Sequence, residues 1–189
     1  MTTTTCLAVG TGVMTARTTD GGQTWGAAAP STTTNTLNAI ACPGSDTCCV
    51  AADAGVTTKT TDTGFTWDAP VTAMAADVYG VACTSTSNCL VVGAGGGTTN
   101  MSDTGFSWYS VTDAAAVDLF ATACDPGNRC IAVGANGTTV KTTDGGSTWS
   151  TPVDHPFGAL RGIACPASLT SLAVSDTDKA VHTTDGGLT

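Results

Sequence analysis

Residues 142–149 read TTDGGSTW, and the chain repeats this stretch with small changes. The matching segments are TTDGGQTW at 18–25, TTDTGFTW at 60–67, MSDTGFSW at 101–108 and TTDGGLT at 183–189. Their aspartates lie at positions 20, 62, 103, 144 and 185, which gives spacings of 42, 41, 41 and 41 residues. A fixed period near 40 residues is typical of proteins built from stacked or radially arranged repeats. This repeat therefore decides the fold.

Every repeat divides into short strand-like segments separated by turn residues. In the repeat at 118–158 the segments are Leu119–Cys124, Cys130–Gly134, Thr138–Thr143 and a fourth that opens with Thr148, Trp149 and Ser150. Asn136 and Gly137 form a two-residue turn of the kind that places both residues at positive φ. No window shows sustained helical periodicity. We therefore expect an all-β fold of four-stranded antiparallel units.

A period of about 41 residues with four strands per repeat is the pattern of a β-propeller blade. We expect one domain over residues 1–189, with four to five repeats and partial blades at both ends. The predicted repeats span residues 1–35, 36–76, 77–117, 118–158 and 159–189.

Three pairs of cysteines recur at the same place in successive repeats. They are Cys42 and Cys48, Cys83 and Cys89, and Cys124 and Cys130. Zinc sites usually have cysteines separated by about two to four residues, with a second pair or histidines nearby, and neither histidine lies beside a pair. We therefore expect three disulfides, no metal site and an oxidising compartment. Cys49 should face away from Cys48 and stay a buried thiol.

Cys6 and Cys165 occupy the two positions of such a pair in distant repeats. Ser171 stands where the repeat of Cys165 would have its second cysteine. We consider three arrangements. The strand around Cys165 pairs with the strand around Cys6 and closes a ring, the same pairing joins two chains, or the chain is a fragment of a longer propeller. The first two arrangements predict a fourth disulfide, between Cys6 and Cys165.

The chain carries six Lys and Arg residues against fifteen acidic residues, a formal net charge of −9. Nucleic acids and anionic membranes require clustered basic residues, so we expect no nucleic-acid partner and no membrane insertion. No apolar run approaches the roughly 20 residues of a membrane span. The acidic composition and the cysteine pairs favour a secreted, extracellular protein.

The pattern Ser/Thr-x-Asp-x-Gly-x-Thr/Ser-Trp at this period resembles the Asp-box, or BNR, repeat of β-propellers. Sialidases, xyloglucanases, sortilin-type receptors and the photosystem II stability factor carry it, and the last resembles this chain most in style. The resemblance implies that each box lies at the turn between the third and fourth strands, away from the usual binding face. Met101 departs from the pattern. The resemblance implies a structural role for Asp20, Asp62, Asp103, Asp144 and Asp185.

In propellers of this kind, ligands usually bind where the loops before the first strands meet the turns after the second strands. One column of residues there varies between repeats: Asn38, Tyr79, Phe120 and Arg161. The side chains of Tyr79, Phe120 and Arg161 are able to stack on a sugar or a peptide, so the column is the predicted ligand-binding site, although a loosely constrained rim would also vary. The next candidates are Asp154 and His155. A second column, which we interpret as local charge balance, contains Arg17, Lys59, Asn100, Lys141 and His182.

Catalysis is not expected. The sialidase mechanism uses a tyrosine nucleophile activated by glutamate, and the chain contains no glutamate. A glycosidase with two aspartates is formally open, but no pair outside the boxes stands out by motif. We expect a non-catalytic extracellular structural or assembly protein that self-associates through unmatched edge strands and uses no cofactor. The alternative is a module that binds a glycan or a peptide, and a fragment of a glycoside hydrolase is least favoured.

Overall fold

The structure is a computed structural model of the chain. It describes residues 4–184 except 13, 28, 30, 104–106, 111–112 and 168. The described residues form eighteen β-strands and three short 3-10 turns, arranged as five antiparallel sheets. No helix in this part of the chain is long and apolar enough to cross a lipid bilayer. The fold is all-β, as predicted.

Strands that follow one another in the sequence are neighbours within each sheet. The first sheet contains β1 (Cys6–Val9), β2 (Thr15–Thr18) and β3 (Gly26–Ala27). The second contains β4 (Leu37–Ala41), β5 (Cys48–Ala52), β6 (Val56–Thr60) and β7 (Val71–Thr72). The third contains β8 (Val78–Ser85), β9 (Asn88–Gly93), β10 (Thr98–Met101) and β11 (Tyr109–Ser110). The fourth contains β12 (Leu119–Cys124), β13 (Cys130–Gly134), β14 (Thr138–Thr142) and β15 (Val153–Asp154). The fifth contains β16 (Leu160–Ala167), β17 (Thr170–Ser175) and β18 (Ala180–Thr183).

The turn between the second and third strands has the same backbone in three sheets. In the fourth sheet Asn136 has a φ of 57° and Gly137 a φ of 74°, as the sequence predicts. A Cβ on Gly137 would lie 2.1 Å from the His155 carbonyl oxygen, so only glycine fits at this position. The same two positive φ angles recur at Ala54–Gly55 and Gly95–Gly96.

Each sheet packs against the next sheet along the chain. On β13, Ala132 faces the third sheet and joins a buried cluster with Val92. Ile131 and Val133 face the other way, into a cluster with Leu160 of the fifth sheet. This alternation follows from the two-residue period of a strand. We call the two surfaces of a sheet its backward and forward faces, and the contacts between them form the hydrophobic core.

Three disulfides join the first and second strands of the second, third and fourth sheets, in the predicted pairs. They are Cys42–Cys48, Cys83–Cys89 and Cys124–Cys130. Cys49 is a buried thiol, also as predicted. Burial raises its pKa to about 12, although the charge of Lys59 offsets part of this effect. Such a thiol stays protonated at neutral pH and is a poor nucleophile.

Cys6 and Cys165 are free thiols in this structure, so the chain forms no link between them within itself. The strand that contains Cys165, β16, pairs with β17 of its own sheet, with Ala164 opposite Leu172. The Cys165 Sγ lies 3.0 Å from the Ser171 Oγ, where the other hairpins have their second cysteine. Within the described residues β16 pairs with β17 alone and β1 pairs with β2 alone, so the strands around Cys165 and Cys6 do not pair with each other within this chain.

The fourth strand of the fourth sheet begins later than predicted. We expected it to open at Thr148, but β15 covers Val153–Asp154. The Ser150 N–H donates to the Lys141 carbonyl at 2.8 Å, while the Ser150 hydroxyl accepts from the Lys141 N–H at 3.1 Å. A side chain thus replaces one backbone bond of the ladder, and regular pairing resumes only after Pro152.

Candidate binding site

The repeated aspartate sits in a turn that surrounds its carboxylate with hydrogen-bond donors. The Asp144 Oδ1 accepts from the Thr142 hydroxyl at 2.7 Å and from the Thr148 N–H at 2.9 Å. Its Oδ2 accepts from the Thr148 hydroxyl at 2.6 Å. The Thr142 hydroxyl accepts in turn from the Gly146 N–H at 3.0 Å. The same set of bonds surrounds Asp20 and Asp62.

These donors favour the ionised carboxylate. Hydrogen bonds from Thr66 lower the pKa of Asp62 to about 2, and those from Thr148 lower the pKa of Asp144 to about 2. The equivalent bonds from Thr24 hold the pKa of Asp20 well below its usual range. The carboxylate oxygens are engaged within their own turns, which favours the structural role predicted for these aspartates.

The box of the third sheet differs because Met101 replaces its first threonine. Met101 is 2% exposed and packs in the core between the second and third sheets. The Ser107 N–H still donates to the Asp103 Oδ1, at 3.1 Å. The third sheet therefore has an apolar core contact in place of one hydroxyl of the turn. The predicted box residue Asp185 lies outside the described residues.

The box turns and the predicted binding residues lie at opposite ends of the strands. The Gly145 N–H of a box turn donates at 2.9 Å to the carbonyl of Asn128, in the loop between the first and second strands. At the other end, the Ala135 N–H donates at 2.9 Å to the carbonyl of Asp118, directly before the first strand. The starts of the first strands thus lie beside the turns after the second strands. We call this end of the sheets the rim.

Each of the four predicted ligand-binding residues lies at a β-bulge in its first strand. The residue passed over by the pairing is Asn38 in β4, Tyr79 in β8, Phe120 in β12 and Arg161 in β16. A bulge leaves one residue unpaired and redirects its side chain, and bulges are frequent beside functional sites. The four residues are therefore unpaired at equivalent positions of the rim.

The four residues form one row of contacts, which we call the rim ladder. The rings of Tyr79 and Phe120 have centroids 5.9 Å apart and an interplanar angle of 42°. The Arg161 Cζ lies 4.0 Å from the centroid of the Phe120 ring. The Asn38 Nδ2 donates to the carbonyl of Val78, the residue before Tyr79, at 2.8 Å. Residues from four successive repeats are thereby brought side by side.

Carboxylates surround the rim ladder. The Asp53 Oδ1 accepts from the Asn38 Nδ2 at 2.8 Å, and Asp176 pairs with the Arg161 Nη2 at 3.6 Å. Burial raises the pKa of Tyr79, and so do the negative charges of Asp118, Asp77 and Asp53. The Tyr79 hydroxyl therefore stays neutral at physiological pH and can donate a hydrogen bond. The rim combines an aromatic surface with several negative charges.

Sequence reasoning missed the bulges, although the sequence contains a signal for them. A small residue directly follows each member of the rim ladder: Ala39, Gly80, Ala121 and Gly162. A Cβ on Gly80 would lie 3.0 Å from the Ala121 Cα, so the first strands of neighbouring sheets, β8 and β12, approach closely at this level. A variable residue followed by a small one, at the same place in every repeat, is the pattern that locates the rim.

The two further candidates, Asp154 and His155, lie apart from the rim ladder. The Asp154 Oδ1 accepts from the Thr138 hydroxyl at 2.6 Å. The His155 ring stacks on Phe157, with centroids 6.0 Å apart, and its Nε2 lies 3.2 Å from the Thr139 Oγ1. Of the two side chains, His155 lines the space between the fourth and fifth sheets.

The residues of the column that precedes the boxes make separate contacts. The Arg17 Cζ lies 4.6 Å from the centroid of the Phe65 ring, and Lys59 pairs with Asp68 at 4.0 Å. The Asn100 Nδ2 donates to a carbonyl of the box turn in the next sheet, at 3.1 Å. Each of these three residues contacts a different neighbour within the fold. The other two members of the column, Lys141 and His182, line one cavity between the fourth and fifth sheets.

Solved structures are similar over nearly the whole chain. YCF48 bound to a D1 peptide superimposes on 97% of it with a TM-score of 0.70 and 17% identity. YCF48 from Cyanidioschyzon merolae superimposes on 95% with a TM-score of 0.70 and 15% identity, and an ancestral GH74 enzyme on 89% with 0.68 and 16%. The chain folds as a β-propeller. No protein-family model matches the sequence, and a comparison with curated proteins gives no match.

The chain spans 61% and 62% of the two YCF48 structures and 25% of the GH74 enzyme. At identities this low, the likeness establishes the fold and not the activity. The five sheets correspond to blades of the propeller. The three disulfides fit an oxidising compartment.

Proposed function

We propose that this chain is a non-catalytic, extracellular Asp-box propeller that binds a positively charged, extended peptide at its rim ladder. The observation that carries the proposal is the continuous row of Tyr79, Phe120 and Arg161, placed by bulges in successive first strands. We therefore favour a binding module over an assembly role. The sequence names these residues, and the structure adds that they touch one another in a continuous row.

The chemistry of the rim favours a peptide with basic residues. Tyr79 and Phe120 offer aromatic faces, which attract cationic and apolar groups. Asp53, Asp77 and Asp118 lie around Tyr79 and add negative potential. A lysine or arginine side chain can therefore lie between an aromatic face and a carboxylate. The similarity to YCF48 bound to a D1 peptide supports a peptide as the class of ligand.

The Asp-box assignment is supported by the turns themselves. Three of them hold an aspartate through the threonine before it and the threonine after it, at positions that the sequence pattern requires. The resemblance in sequence and the bonding of the turn therefore agree. The three disulfides support an extracellular setting.

A non-catalytic role is supported by the way the rim carboxylates are used. The Asp77 Oδ1 accepts from the Ala54 N–H at 2.7 Å, and the Asp118 Oδ1 accepts from the Gly95 N–H at 2.8 Å. A catalytic carboxyl must be able to reach the proton or atom that reacts. These two carboxylates instead hold the turns of the preceding sheet.

A library of displayed peptides, selected on the full chain, tests the binding proposal. We expect enrichment of peptides with basic and aromatic residues. The double substitution Tyr79→Ala with Phe120→Ala should weaken a selected peptide by about tenfold or more, because both aromatic faces are lost. Tyr109→Ala is the matched control, since Tyr109 is 48% exposed on the outer strand β11.

Unchanged affinity in a double variant that unfolds at the normal temperature would remove the rim ladder from consideration. A glycan array run with the same proteins separates the two ligand classes. Binding of a glycan but no peptide, with the same loss in the double variant, would identify a sugar as the ligand.

The fifth sheet has a feature that favours self-association as a second candidate function. Leu172 and Val174, on the forward face of β17, are each 47% exposed. The equivalent residues of β13, Ile131 and Val133, pack against the next sheet. An open apolar face of this kind favours contact with another protein surface. We propose that it joins copies of the chain.

Sedimentation velocity over a range of concentrations tests this second function. We expect dimers or larger species that grow with concentration, and a monomer for the variant Leu172→Asp, because a charge cannot be buried in an apolar contact. Leu169→Asp is the matched control, because Leu169 is 45% exposed in the loop before β17. A wild-type chain that stays monomeric at every concentration would rule out self-association through this face.

A further inference from the structure

Two tryptophans bridge neighbouring sheets in the same way. The Trp108 Nε1 donates at 2.8 Å to the Thr57 Oγ1, on the third strand of the preceding sheet. The Trp149 Nε1 donates at 3.1 Å to the Thr98 Oγ1 of the sheet before it. Trp67 is also buried between sheets, with 7% of its surface exposed, but its N–H has no partner among the described residues. An indole thus fills each of the first three clefts.

Among the described residues, the cleft between the fourth and fifth sheets has the threonine but no tryptophan. Thr139 of β14 stands at the position of Thr57 and Thr98. A cavity of about 460 Å³, a size that holds small ligands, opens beside it. None of its described lining residues is tryptophan. Its apolar lining includes Ile131, Val133, Ala173 and Val181.

The hydroxyl of Thr139 has the bonding of a threonine that receives an indole. It donates to the Val153 carbonyl at 3.4 Å, as the Thr57 hydroxyl donates to the Val71 carbonyl at 3.2 Å. Thr57 keeps that bond while it accepts from the tryptophan. A hydroxyl has two acceptor lone pairs, so Thr139 can accept an indole N–H even when the His155 Nε2, 3.2 Å away, also donates to it.

The third strand of the fifth sheet has an edge to which a strand can add. In each of the first four sheets, a two-residue strand forms the last strand of the sheet: β3 pairs with β2, β7 with β6, β11 with β10 and β15 with β14. Within the described part of the chain, β18 pairs with β17 alone. An extended segment can join such an edge through backbone hydrogen bonds.

We propose that the cleft between β14 and β18 binds a tryptophan side chain carried on an extended peptide that pairs with the edge of β18. The indole N–H donates to Thr139, and the apolar walls of the two sheets cover the ring. Tryptophan is preferred over phenylalanine because a phenyl ring leaves the hydroxyl without this donor. The cleft is separate from the rim ladder, so this site goes beyond the proposed function.

The probe is a fluorescein-labelled peptide with the sequence of residues 144–154, DGGSTWSTPVD, titrated with the full chain and followed by anisotropy. We expect saturable binding and a loss of about tenfold or more when the tryptophan of the peptide is replaced by alanine. The protein variant Thr139→Val keeps the shape of the side chain and removes the acceptor, so it should lose about fivefold. Thr34→Val, on the loop before β4, is the matched control.

Three outcomes would each overturn the proposal. They are equal binding of the two peptides, equal binding to Thr139→Val, and no binding at millimolar concentration. The variant with Tyr79→Ala and Phe120→Ala should bind the probe normally. A loss in that variant would place the probe on the rim ladder, which overturns the cleft site and leaves the rim proposal intact. The fluorine resonance of a 5-fluorotryptophan peptide gives a second measurement, since burial beside Thr139 should shift it.

Discussion

At the scale of single residues, the threonine and the aspartate of each box work as a pair. The Thr60 hydroxyl donates to the Asp62 Oδ1 at 2.7 Å and accepts from the Gly64 N–H at 2.9 Å. The turn is therefore closed by side chains that satisfy one another and the backbone together. Because the carboxylate only accepts in this arrangement, its ionised form is the one that the fold stabilises.

Acid should weaken the fold within a defined range of pH. An aspartate in the unfolded chain has a pKa of about 3.9, whereas the folded values of Asp62 and Asp144 are about 2. Their contribution to the free energy of unfolding is complete above about pH 4 and is lost as the pH falls through about 2. We therefore expect the urea midpoint to fall over this interval, by a modest amount for each box because these carboxylates lie near solvent.

The variant Asp144→Asn is the control for this titration. It should be less stable than the wild type at neutral pH and should show a smaller fall on acidification, because one titrating box is gone. A wild-type midpoint that stays constant between about pH 4 and pH 2 would contradict the role given to these carboxylates.

At the scale of strands, the hairpin of the first two strands is the unit that the disulfides hold. The bridged cysteines are six residues apart in each case. A bridge across so short a loop stabilises by about 2 kcal/mol, since it removes little entropy from the unfolded chain. The fifth sheet forms the same hairpin with Cys165 against Ser171, so the hairpin does not require a bridge.

The substitution Ser171→Cys should add a fourth disulfide, to Cys165. The two side chains already touch, at 3.0 Å between Sγ and Oγ, and their separation is the same six residues as in the other hairpins. We expect one titratable thiol fewer than in the oxidised wild type, because Cys6 and Cys49 alone stay free, and a gain of about 2 kcal/mol in the free energy of unfolding. Ser171→Ala is the control. A variant that keeps all its thiols under oxidising conditions would contradict the register of β16 with β17.

The strands also show what a sequence can predict. The turn at Asn136–Gly137 and the cysteine hairpins follow from local chemistry, so they could be predicted from one repeat. The late start of β15 recurs at the equivalent residues of β7, where Asp68 stands in place of Ser150, so it belongs to the repeat and not to one side chain. The rim residues could be named from the sequence because they vary. Their bulges and the stacking of Arg161 on Phe120 depend on the distance between sheets. That distance cannot be inferred from the sequence of a single repeat.

At the scale of the whole molecule, repetition separates the surface that holds the fold from the surface that varies. The boxes and the contacts between sheets are alike from repeat to repeat, whereas the rim ladder has a different residue in each of four. A bulged residue contributes little to strand pairing, so it can change without loss of the fold. The net charge of −9 also agrees with a basic partner, which it would attract over a distance.

The disulfide map of the oxidised protein, from peptide mass spectrometry without reduction, tests the central claim most directly. That claim is that each repeat folds as its own sheet and contributes one residue to the rim. We expect free thiols at Cys6, Cys49 and Cys165, and links for Cys42–Cys48, Cys83–Cys89 and Cys124–Cys130. A link between cysteines of different repeats within one chain would contradict it, because the first strands would then pair differently and the rim ladder would not form.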